Sequence, residues 1–371
     1  DNADPCARLR ADMLANGVSE DQIKAIEDDV KETVDSAFHV ARKGTTPKPE
    51  HSAKKPLPEQ RAEYRGTEED RTLSMLEAMR EALKLRLEND PKTTLLGQDI
   101  EDPKGDVFGV TRGLSTQFPD RVLNSPLSES TIVGAAVGRA LAGQRPVAMI
   151  QFADFLPLAH NQLALELATM YWRSAGRWQA PVIVMISCGA YRPGLGPFHA
   201  NSLEALAAHT PGIDVFMPST ASDAAGLLNA AFESERPTLF FYPKSCLNDR
   251  EHTTSVDIDK QFVSIGKARI VREGTDITFV SWGNAVAMCE DVAKTLDREN
   301  VLAEVIDLRS LSPWDSDAVL ASAKKTERLV VVHEDNHSCG LGAEILATVQ
   351  EQSAQHIQVK RVTRPDTYVP C

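Results

Sequence analysis

The chain has 371 residues, 42% of them apolar, so it is long enough for two or three domains with ordinary α/β cores. A net charge of -13 argues against nucleic-acid binding, and the lack of a long apolar run or signal peptide indicates a cytoplasmic protein. The six cysteines are scattered without C-x-x-C pairs, which argues against a disulfide framework or a zinc site.

Two helices are predicted at the start, over Asp4–Gly17 and Ser19–Lys43. Ser19 and Gln22 form a possible capping box for the second helix, whose apolar residues recur at helical spacing on one face. These residues are Ile23, Ile26, Val30, Val34, Ala37, Phe38 and Ala41. Because the two helices are too isolated to form a domain, we expect this face to bury against the body of the chain or a partner. The chain starts without Met, which we interpret as a processed piece of a longer product.

A Pro-rich segment separates these helices from the main body. Gly44–Arg61 carries Pro47, Pro49, Pro56 and Pro58 among Lys and Glu, without apolar periodicity. Such a composition is typical of an extended linker.

The first part of the body alternates predicted strands with predicted helices. The strands are Thr94–Gly97, Arg121–Asn124, Pro146–Phe152, Val182–Ser187, Ile213–Met217 and Leu239–Tyr242, and the helices are Thr67–Glu88, Ile132–Leu141, Ala159–Ser174 and Ser222–Glu233. This alternation predicts a parallel sheet covered on both faces.

A second, smaller α/β unit follows the polar stretch Leu247–Gln261, where we expect a domain boundary. Its strands are Asp276–Ser281, Ala303–Asp307, Arg328–His333 and Gln358–Val362, and its helices are Ala285–Leu296, Asp315–Lys325 and Gly342–Glu351. The predicted fold is therefore α/β with two doubly wound domains after a helical extension. We place the extension at residues 1–43, the linker at 44–66, and the two domains at 67–248 and 262–371.

The stretch Ser125–Gly134 places one carboxylate, Glu129, where a predicted strand turns into a predicted helix. The aromatic stretch Gln151–Phe155 also follows a buried strand, so we expect a buried acid beside an aromatic wall. Burial pushes a carboxyl group towards its protonated form, which suits general acid/base chemistry. A structural alternative is that Ser125 or Ser128 caps the helix while Glu129 only complements the helix dipole.

Two histidines follow the next predicted strand. His199 is delivered by the Gly/Pro-rich loop Gly189–Pro197, where an imidazole can serve as a catalyst or as a hydrogen-bonding pin for the loop. His209 precedes Thr-Pro-Gly, and we interpret it as the structural end of a helix.

An ordered set of motifs runs through nearly all of Thr67–Cys371. The motifs are L-L-G-Q-D-I at Leu95–Ile100, V-F-G-V-T-R-G-L at Val107–Leu114, S-P-L-S-E-S-T-I-V-G at Ser125–Gly134, Q-F-A-D-F at Gln151–Phe155, F-H-A-N-S-L-E-A at Phe198–Ala205, H-T-P-G at His209–Gly212, I-G-K-A-R at Ile265–Arg269, E-V-I-D-L-R-S-L-S-P at Glu304–Pro313 and R-P-D-T at Arg364–Thr367. The set resembles the β-type subunit of thiamin-diphosphate-dependent 2-oxo acid dehydrogenases. The resemblance implies a pyrimidine-binding α/β domain followed by a transketolase-like C-terminal domain.

The resemblance also implies roles for particular residues. Glu129 resembles the glutamate that hydrogen-bonds N1′ of the cofactor's aminopyrimidine and so promotes removal of the proton from thiazolium C2. Phe155 resembles the aromatic residue that stacks on the pyrimidine, with Leu127 and Gln151 lining the same slot. His199 resembles the histidine that assists acyl transfer to a lipoyl arm. The cofactor supplies the carbanion chemistry, and the protein supplies the proton relay and the orientation.

One family motif is missing from the sequence. Members hold the cofactor's diphosphate and its Mg²⁺ on a G-D-G…N motif, whereas here Gly105 and Asp106 are followed by Val107. A cation that bridges phosphates needs such oxygen ligands. The resemblance therefore implies that an α-type subunit holds Mg²⁺, at the α/β interfaces of an α2β2 heterotetramer.

The N-terminal extension resembles the C-terminal tail of such an α-type subunit, in Asp4–Arg10 and the helix that follows. Either an α–β fusion has been cut, or a rearranged gene carries the α tail on the β body. In both cases we expect Ile23, Val30, Val34 and Phe38 to dock on an α-type partner. The alternative is a helical extension that packs on its own chain.

Several positions depart from the family pattern around the substrate-facing loops. Met149 and Ile186 replace charged residues, and the usual H-S-Q-S has become His199–Ser202, which indicates a specialised donor or acceptor. Near the monovalent-cation site of some members, Ser234 and Arg236 replace Asp and Asn. We hypothesise that the Arg236 guanidinium takes the place of the cation.

Three functions are compatible with this sequence. The first is decarboxylation of a 2-oxo acid with acyl transfer to a lipoyl-bearing acyltransferase. The second is transketolase-like transfer of a two-carbon ketol or acyl unit to a carrier protein. The third is a non-catalytic partner-binding subunit, against which the joint presence of Glu129, Phe155 and His199 argues.

Overall fold

The computed structural model describes residues 4–46, 54–59, 61–191 and 194–370, in two units, Asp1–Glu50 and His51–Cys371. The first unit contains helices α1 (Pro5–Ala15) and α2 (Glu20–Lys43). Ser19 and Gln22 form the predicted capping box at the start of α2. Ile23 is buried, whereas other apolar residues that follow it on the predicted apolar face are exposed, and both Val34 and Phe38 are 59% exposed.

The second unit contains the remaining helices and the strands of the described chain. The strands are β1 (Thr93–Gly97), β2 (Val122–Asn124), β3 (Arg145–Ile150), β4 (Ile183–Cys188), β5 (Asp214–Phe216), β6 (Thr238–Pro243), β7 (Arg269–Arg272), β8 (Ile277–Ser281), β9 (Ala303–Asp307), β10 (Ser310–Ser312), β11 (Arg328–Asn336) and β12 (Gln358–Arg364). The helices are α3 (Met75–Asn89), α4 (Leu114–Gln117), α5 (Glu129–Leu141), α6 (Met170–Arg173), α7 (Glu204–Ala208), α8 (Ala221–Ser234), α9 (Ala285–Asp297), α10 (Ser316–Thr326) and α11 (Leu341–Gln352).

Within the described residues, the strands form two sheets. The first has the order β10-β5-β6-β4-β3-β1-β2 and is parallel except for β10. The second has the order β12-β11-β8-β9-β7 and is parallel except for β7. The antiparallel strands β7 and β10 are short and lie at sheet edges, and their few apolar residues explain why sequence periodicity missed them. Because β10 follows β9 in the chain, the second half of the chain completes the first sheet.

Two predicted helices differ from the observed ones. The helix predicted from Thr67 begins at Met75, because Ser74 and Glu77 form a capping box there, while Leu73 pairs with Thr254 in an isolated bridge. The helix predicted over Ala159–Ser174 is divided into a 3₁₀ helix (Ala153–Ala159), a π-helix (Gln162–Leu167) and α6. None of the described helices is both long enough and apolar enough to cross a bilayer.

Residues 54–59 and 61–66 of the predicted linker lie against the body through charged contacts. Lys55 pairs with Glu235 at 2.6 Å, and Glu63 accepts two bonds from Arg309, at 3.0 and 3.1 Å. Arg65 donates two bonds of 3.0 Å to the buried Asp223. The side chains of these residues tie the segment to both halves of the body.

Candidate active site

The carboxyl ends of five parallel strands meet along one edge of the first sheet. In register, Gly97 of β1 pairs with Asn124 of β2 and Met149 of β3, and Cys188 of β4 pairs with Pro243 of β6. The loops that carry Leu127, Gln151 and His199 therefore leave the sheet at the same edge. In open α/β sheets, ligands bind in the crevice at this edge.

Glu129 is the first residue of α5, directly after the loop that leaves β2. It is only half-buried, and its neighbour Leu127 is 79% exposed, so the expectation of a buried acid is wrong for this chain by itself. Glu129 is only half-buried because α5 begins at the outer margin of this sheet edge. The structural alternative holds in part: Ser128 is the N-cap residue and Glu129 lies in the first turn, where it complements the helix dipole, but neither serine caps α5 through its side chain, since the hydroxyl of Ser128 bonds Thr131 at 2.8 Å and that of Ser125 donates to the Pro126 carbonyl.

An aromatic cluster surrounds His199 at this edge. The imidazole lies edge to face with Phe152, with ring centroids 4.7 Å apart, and with Phe155, at 5.8 Å. Phe108 continues the cluster, 6.1 Å from Phe152 and 5.9 Å from Tyr191. The structure therefore brings together His199 and Phe155, two of the predicted site residues, and adds Phe152 and Phe108, which sequence reasoning missed although both lie inside motifs it singled out.

Gln151 is buried, and both ends of its side-chain amide bind backbone groups. Its Oε1 accepts the N–H of Val107 at 3.3 Å, and its Nε2 donates to the carbonyl of Gln98. The hydroxyl of Ser187 also donates to the Gln151 carbonyl. Gln151 therefore braces the loop after β1, which holds Phe108 in the aromatic cluster.

Lys244 is a buried cation that sequence reasoning missed at the end of β6. Its Nζ donates to the carbonyl of His199 and lies 5.0 Å from the centre of the Phe152 ring. Burial lowers the pKa of Lys244. The sequence contains a signal for this residue, because Lys244 directly follows an apolar strand. Lysine is almost never fully buried without a partner, so a lysine at such a position indicates a buried contact.

Asp106, from the incomplete diphosphate motif, is buried at the same end of the sheet. Its carboxylate accepts backbone N–H groups from Val107, Phe108 and Val110, and burial raises its pKa to about 6. No group of three or more His, Cys, Asp or Glu side chains that could hold a metal ion occurs among the described residues.

Two further predicted positions lie away from the aromatic cluster. His209 is the C-cap residue of α7, which agrees with its interpretation as a helix end. Arg236 is buried and donates two bonds of 2.7 Å to the buried Asp214, and a third, of 2.6 Å, to the carbonyl of Lys55. Lys54 also reaches Asp214, at 3.0 Å.

Family profiles match both halves of the body. A profile described as the pyrimidine binding domain of transketolase matches residues 71–249, and one described as the C-terminal domain of transketolase matches residues 266–371. A solved split-gene transketolase, described as an inactive beta4 tetramer, has a similar fold, with a TM-score of 0.66 and 25% identity over 80% of this chain and 89% of that chain. The predicted pair of transketolase-like α/β domains is confirmed.

Three curated relatives are similar over most of their length. The beta subunit of 2-oxoisovalerate dehydrogenase from Bacillus subtilis is 37% identical over 79% of this chain and 90% of that protein. The beta subunit of the pyruvate dehydrogenase E1 component from the same organism is 37% identical over 80% of this chain and 91% of that protein. The beta subunit of an acetoin:2,6-dichlorophenolindophenol oxidoreductase from Cupriavidus necator is 36% identical over 81% of this chain and 91% of that protein.

Proposed function

The chain belongs to the β-subunit family of thiamin-diphosphate-dependent 2-oxo acid dehydrogenases, and from this premise we propose that its carboxyl edge is one half of the active site. The assembled enzyme decarboxylates a 2-oxo acid and passes the acyl unit to a lipoyl-type acceptor. The observation that carries this proposal is the meeting of His199, Phe152 and Phe155 at the edge where α5 begins with Glu129.

The side chains at this edge fit the pyrimidine end of thiamin diphosphate. Phe155 offers a half-buried aromatic ring, Leu127 offers an exposed apolar surface, and Glu129 offers a carboxylate that forms no hydrogen bond with the described residues. Gln151 contributes by bracing the loop after β1. When bound, the cofactor supplies a thiazolium ring that stabilises the carbanion formed in decarboxylation.

Glu129 and His199 have separate tasks in this proposal. With the cofactor bound, the Glu129 carboxyl group would share a proton with N1′ of the pyrimidine. Once a partner covers the open edge, desolvation favours the sharing of that proton. The imidazole of His199, held edge-on by Phe152, gives or takes a proton during transfer of the acyl unit.

We propose an α-type subunit as the partner that covers this edge and holds Mg²⁺ and the diphosphate, in an α2β2 heterotetramer. Two features support this proposal. Leu127 leaves a large apolar side chain exposed beside Glu129, and the sequence lacks the G-D-G…N motif. The exposed face of α2, around Val34 and Phe38, is proposed as a second surface for the same partner.

The experiment is a donor and acceptor screen with the complex that this chain forms with its α-type partner. The complex is given thiamin diphosphate and Mg²⁺, with pyruvate, 2-oxoisovalerate or xylulose 5-phosphate as the donor and lipoamide or an aldose phosphate as the acceptor, and the products are identified by mass. We expect a 2-oxo acid to be consumed and acylated dihydrolipoamide to form. Consumption of the ketose phosphate alone would instead support ketol transfer, for which the transketolase-like fold is the favouring observation. A complex that consumes none of the donors would contradict an enzymatic function.

A further inference from the structure

The segment that carries His199 connects β4 with α7 and is bonded near both ends by side chains of the C-terminal domain. Near its start, the Ala190 N–H donates to Oε1 of Glu334, on β11, at 2.8 Å. Near its end, Nη1 of Arg364, on β12, donates to Oδ1 of Asn201 at 2.9 Å. Neither Glu334 nor Arg364 lies in the sheet that presents His199.

Gly189 shows how closely Glu334 approaches the segment. Its φ of +73° is a conformation that favours glycine, and a Cβ built there would lie 2.5 Å from Oε2 of Glu334. Any larger residue would therefore have to displace the Glu334 carboxylate. The Glu334 carboxylate can therefore lie this close to the backbone only because residue 189 is glycine.

Asn201 joins the two ends of the segment and links them to the aromatic cluster. Its carbonyl accepts the Gly189 N–H at 3.1 Å, and its Nδ2 donates to the Pro197 carbonyl at 2.9 Å and to Asp154. Asp154 lies between Phe152 and Phe155 in the chain. The hydrogen bond from Arg364 to Asn201 is therefore connected, through Asp154, to Phe152 and Phe155, whose rings contact the His199 imidazole.

The end of the segment is held by a third residue of the C-terminal domain. Leu203 adopts a φ of +58°, a left-handed conformation that is unfavourable for a residue with a side chain, and α7 begins at the next residue, Glu204. Nε1 of Trp282 donates to the buried Glu204 carboxyl group at 3.0 Å. This contact offsets the unfavourable backbone conformation by anchoring the residue that follows it.

From these contacts we propose that Glu334 and Arg364 are positioning residues for His199. They hold its segment from the C-terminal domain so that the imidazole faces the acyl group during transfer to the acceptor. The inference rests on the proposed role of His199. It extends the proposed function, because it assigns two residues of the C-terminal domain a role in acyl transfer.

The test compares Glu334→Ala and Arg364→Met with wild type in the complex that this chain forms with its α-type partner. Asp291→Asn is the matched control, because Asp291 lines the same cleft of about 680 Å³ as Glu334, but its carboxylate pairs with Lys294 and forms no hydrogen bond with the described residues of the His199 segment. Three quantities are measured: decarboxylation of the accepted 2-oxo acid with dichlorophenolindophenol as the acceptor, acylation of lipoamide, and hydrogen exchange of peptides covering residues 194–204 in the complex without cofactor.

For both variants we expect kcat of lipoamide acylation to fall about tenfold or more, since small displacements of a catalytic group are costly, with KM for lipoamide unchanged. Dye-coupled decarboxylation should stay within about twofold of wild type, because it does not need His199 to reach the acceptor. Exchange over residues 194–204 should be faster in both variants and unchanged in the control. Glu334→Gln should recover most of the acylation rate, since its amide oxygen can still accept the Ala190 N–H.

Two results would overturn the proposal. One is wild-type acylation and exchange in both variants, and the other is an equal loss of both partial reactions with no recovery in Glu334→Gln. His199→Ala separates this inference from the proposed function. If His199→Ala slows acylation and the two positioning variants do not, only the positioning role fails. If His199→Ala leaves acylation unchanged, the role of His199 fails and the positioning role fails with it.

Discussion

The His199 ring meets the Phe152 ring edge to face, with centroids 4.7 Å apart and planes at 87°. Phe152 is closer to His199 than Phe155 is, and its ring centre lies 5.0 Å from the ammonium of Lys244. One aromatic side chain therefore contacts both the candidate catalytic imidazole and the buried cation that binds the His199 carbonyl.

Replacement of Phe152 by Leu tests this contact. Edge-to-face pairs contribute about 0.5–1.5 kcal/mol beyond their buried area, so acyl transfer to lipoamide should slow by about threefold to tenfold. The affinity for thiamin diphosphate should change little. Phe118→Leu is the control, since the half-buried Phe118 ring lies beside Arg121 and makes no ring contact with His199 among the described residues. Equal acylation rates for both variants would show that the ring contact does not matter for transfer.

Glu129→Gln should lower turnover with little effect on cofactor binding. A positioned acid or base typically contributes about 10²–10⁴ in rate, and the amide cannot share a proton with the pyrimidine as the carboxylate does. Turnover and the cofactor dissociation constant are measured on the assembled complex. Glu166→Gln, at an exposed carboxylate that pairs with Arg173, is the control. Unchanged turnover in Glu129→Gln would exclude the proton-relay role.

Stability should fall as the pH rises from about 5 to about 8 because of Glu204. Burial, reinforced by the nearby Asp335, raises the pKa of Glu204 to about 8 from an ordinary value of 4.5. Between these pH values the folded chain keeps a proton that the unfolded chain releases, so the free energy of unfolding decreases as the pH rises. Glu204→Gln removes the titrating carboxyl group. The unfolding temperature of the variant should therefore decline less than that of wild type from pH 5 to pH 8.

The matched control is Glu344→Gln, which removes an exposed carboxylate from α11. Burial also lowers the pKa of His333 to about 4, which weakens the fold as the pH falls below about 6.5. Because His333 is present in every variant, the comparison of slopes isolates Glu204. A Glu204→Gln slope equal to that of wild type would show that Glu204 does not cause the loss.

Arg309→Met should destabilise the body by about 3 kcal/mol, because it leaves the buried Asp223 carboxylate short of a cation. Arg309 is buried and pairs with Asp223 at 3.1 Å and with Glu63 of the predicted linker at 3.0 Å. Denaturant unfolding measures the change. Lys294→Met, which removes an exposed pair with Asp291, should leave the midpoint unchanged. Similar midpoints for the two variants would contradict a stabilising role for the buried network.

If Arg236 takes the place of a monovalent cation, wild-type stability should not depend on potassium. Its guanidinium donates two bonds of 2.7 Å to the buried Asp214. Unfolding temperatures are compared in potassium chloride and choline chloride at equal ionic strength. Arg236→Ala should unfold at lower temperature and regain part of the loss in potassium chloride. Specific stabilisation of wild type by potassium would refute the hypothesis.

The local elements follow from the sequence, because their signals lie within a few residues of each other. The capping box at Ser19 and Gln22, the alternation of apolar strands with helices, and the place of Glu129 at the start of a helix are all of this kind. The motifs around Gln151–Phe155 and His199 could also be recognised from their residues and their order along the chain. These features determined the two-domain α/β fold and the candidate half-site.

The contacts that complete the site were decided by the tertiary structure alone. Glu334 and Ala190 are 144 residues apart in the chain, and Arg364 and Asn201 are 163 apart, so no periodicity or local motif could pair them. The degree of burial of Glu129 likewise depends on what covers the edge of the sheet. Local patterns specify where a strand ends and a helix begins, whereas burial and hydrogen bonding depend on which distant segments the fold packs together.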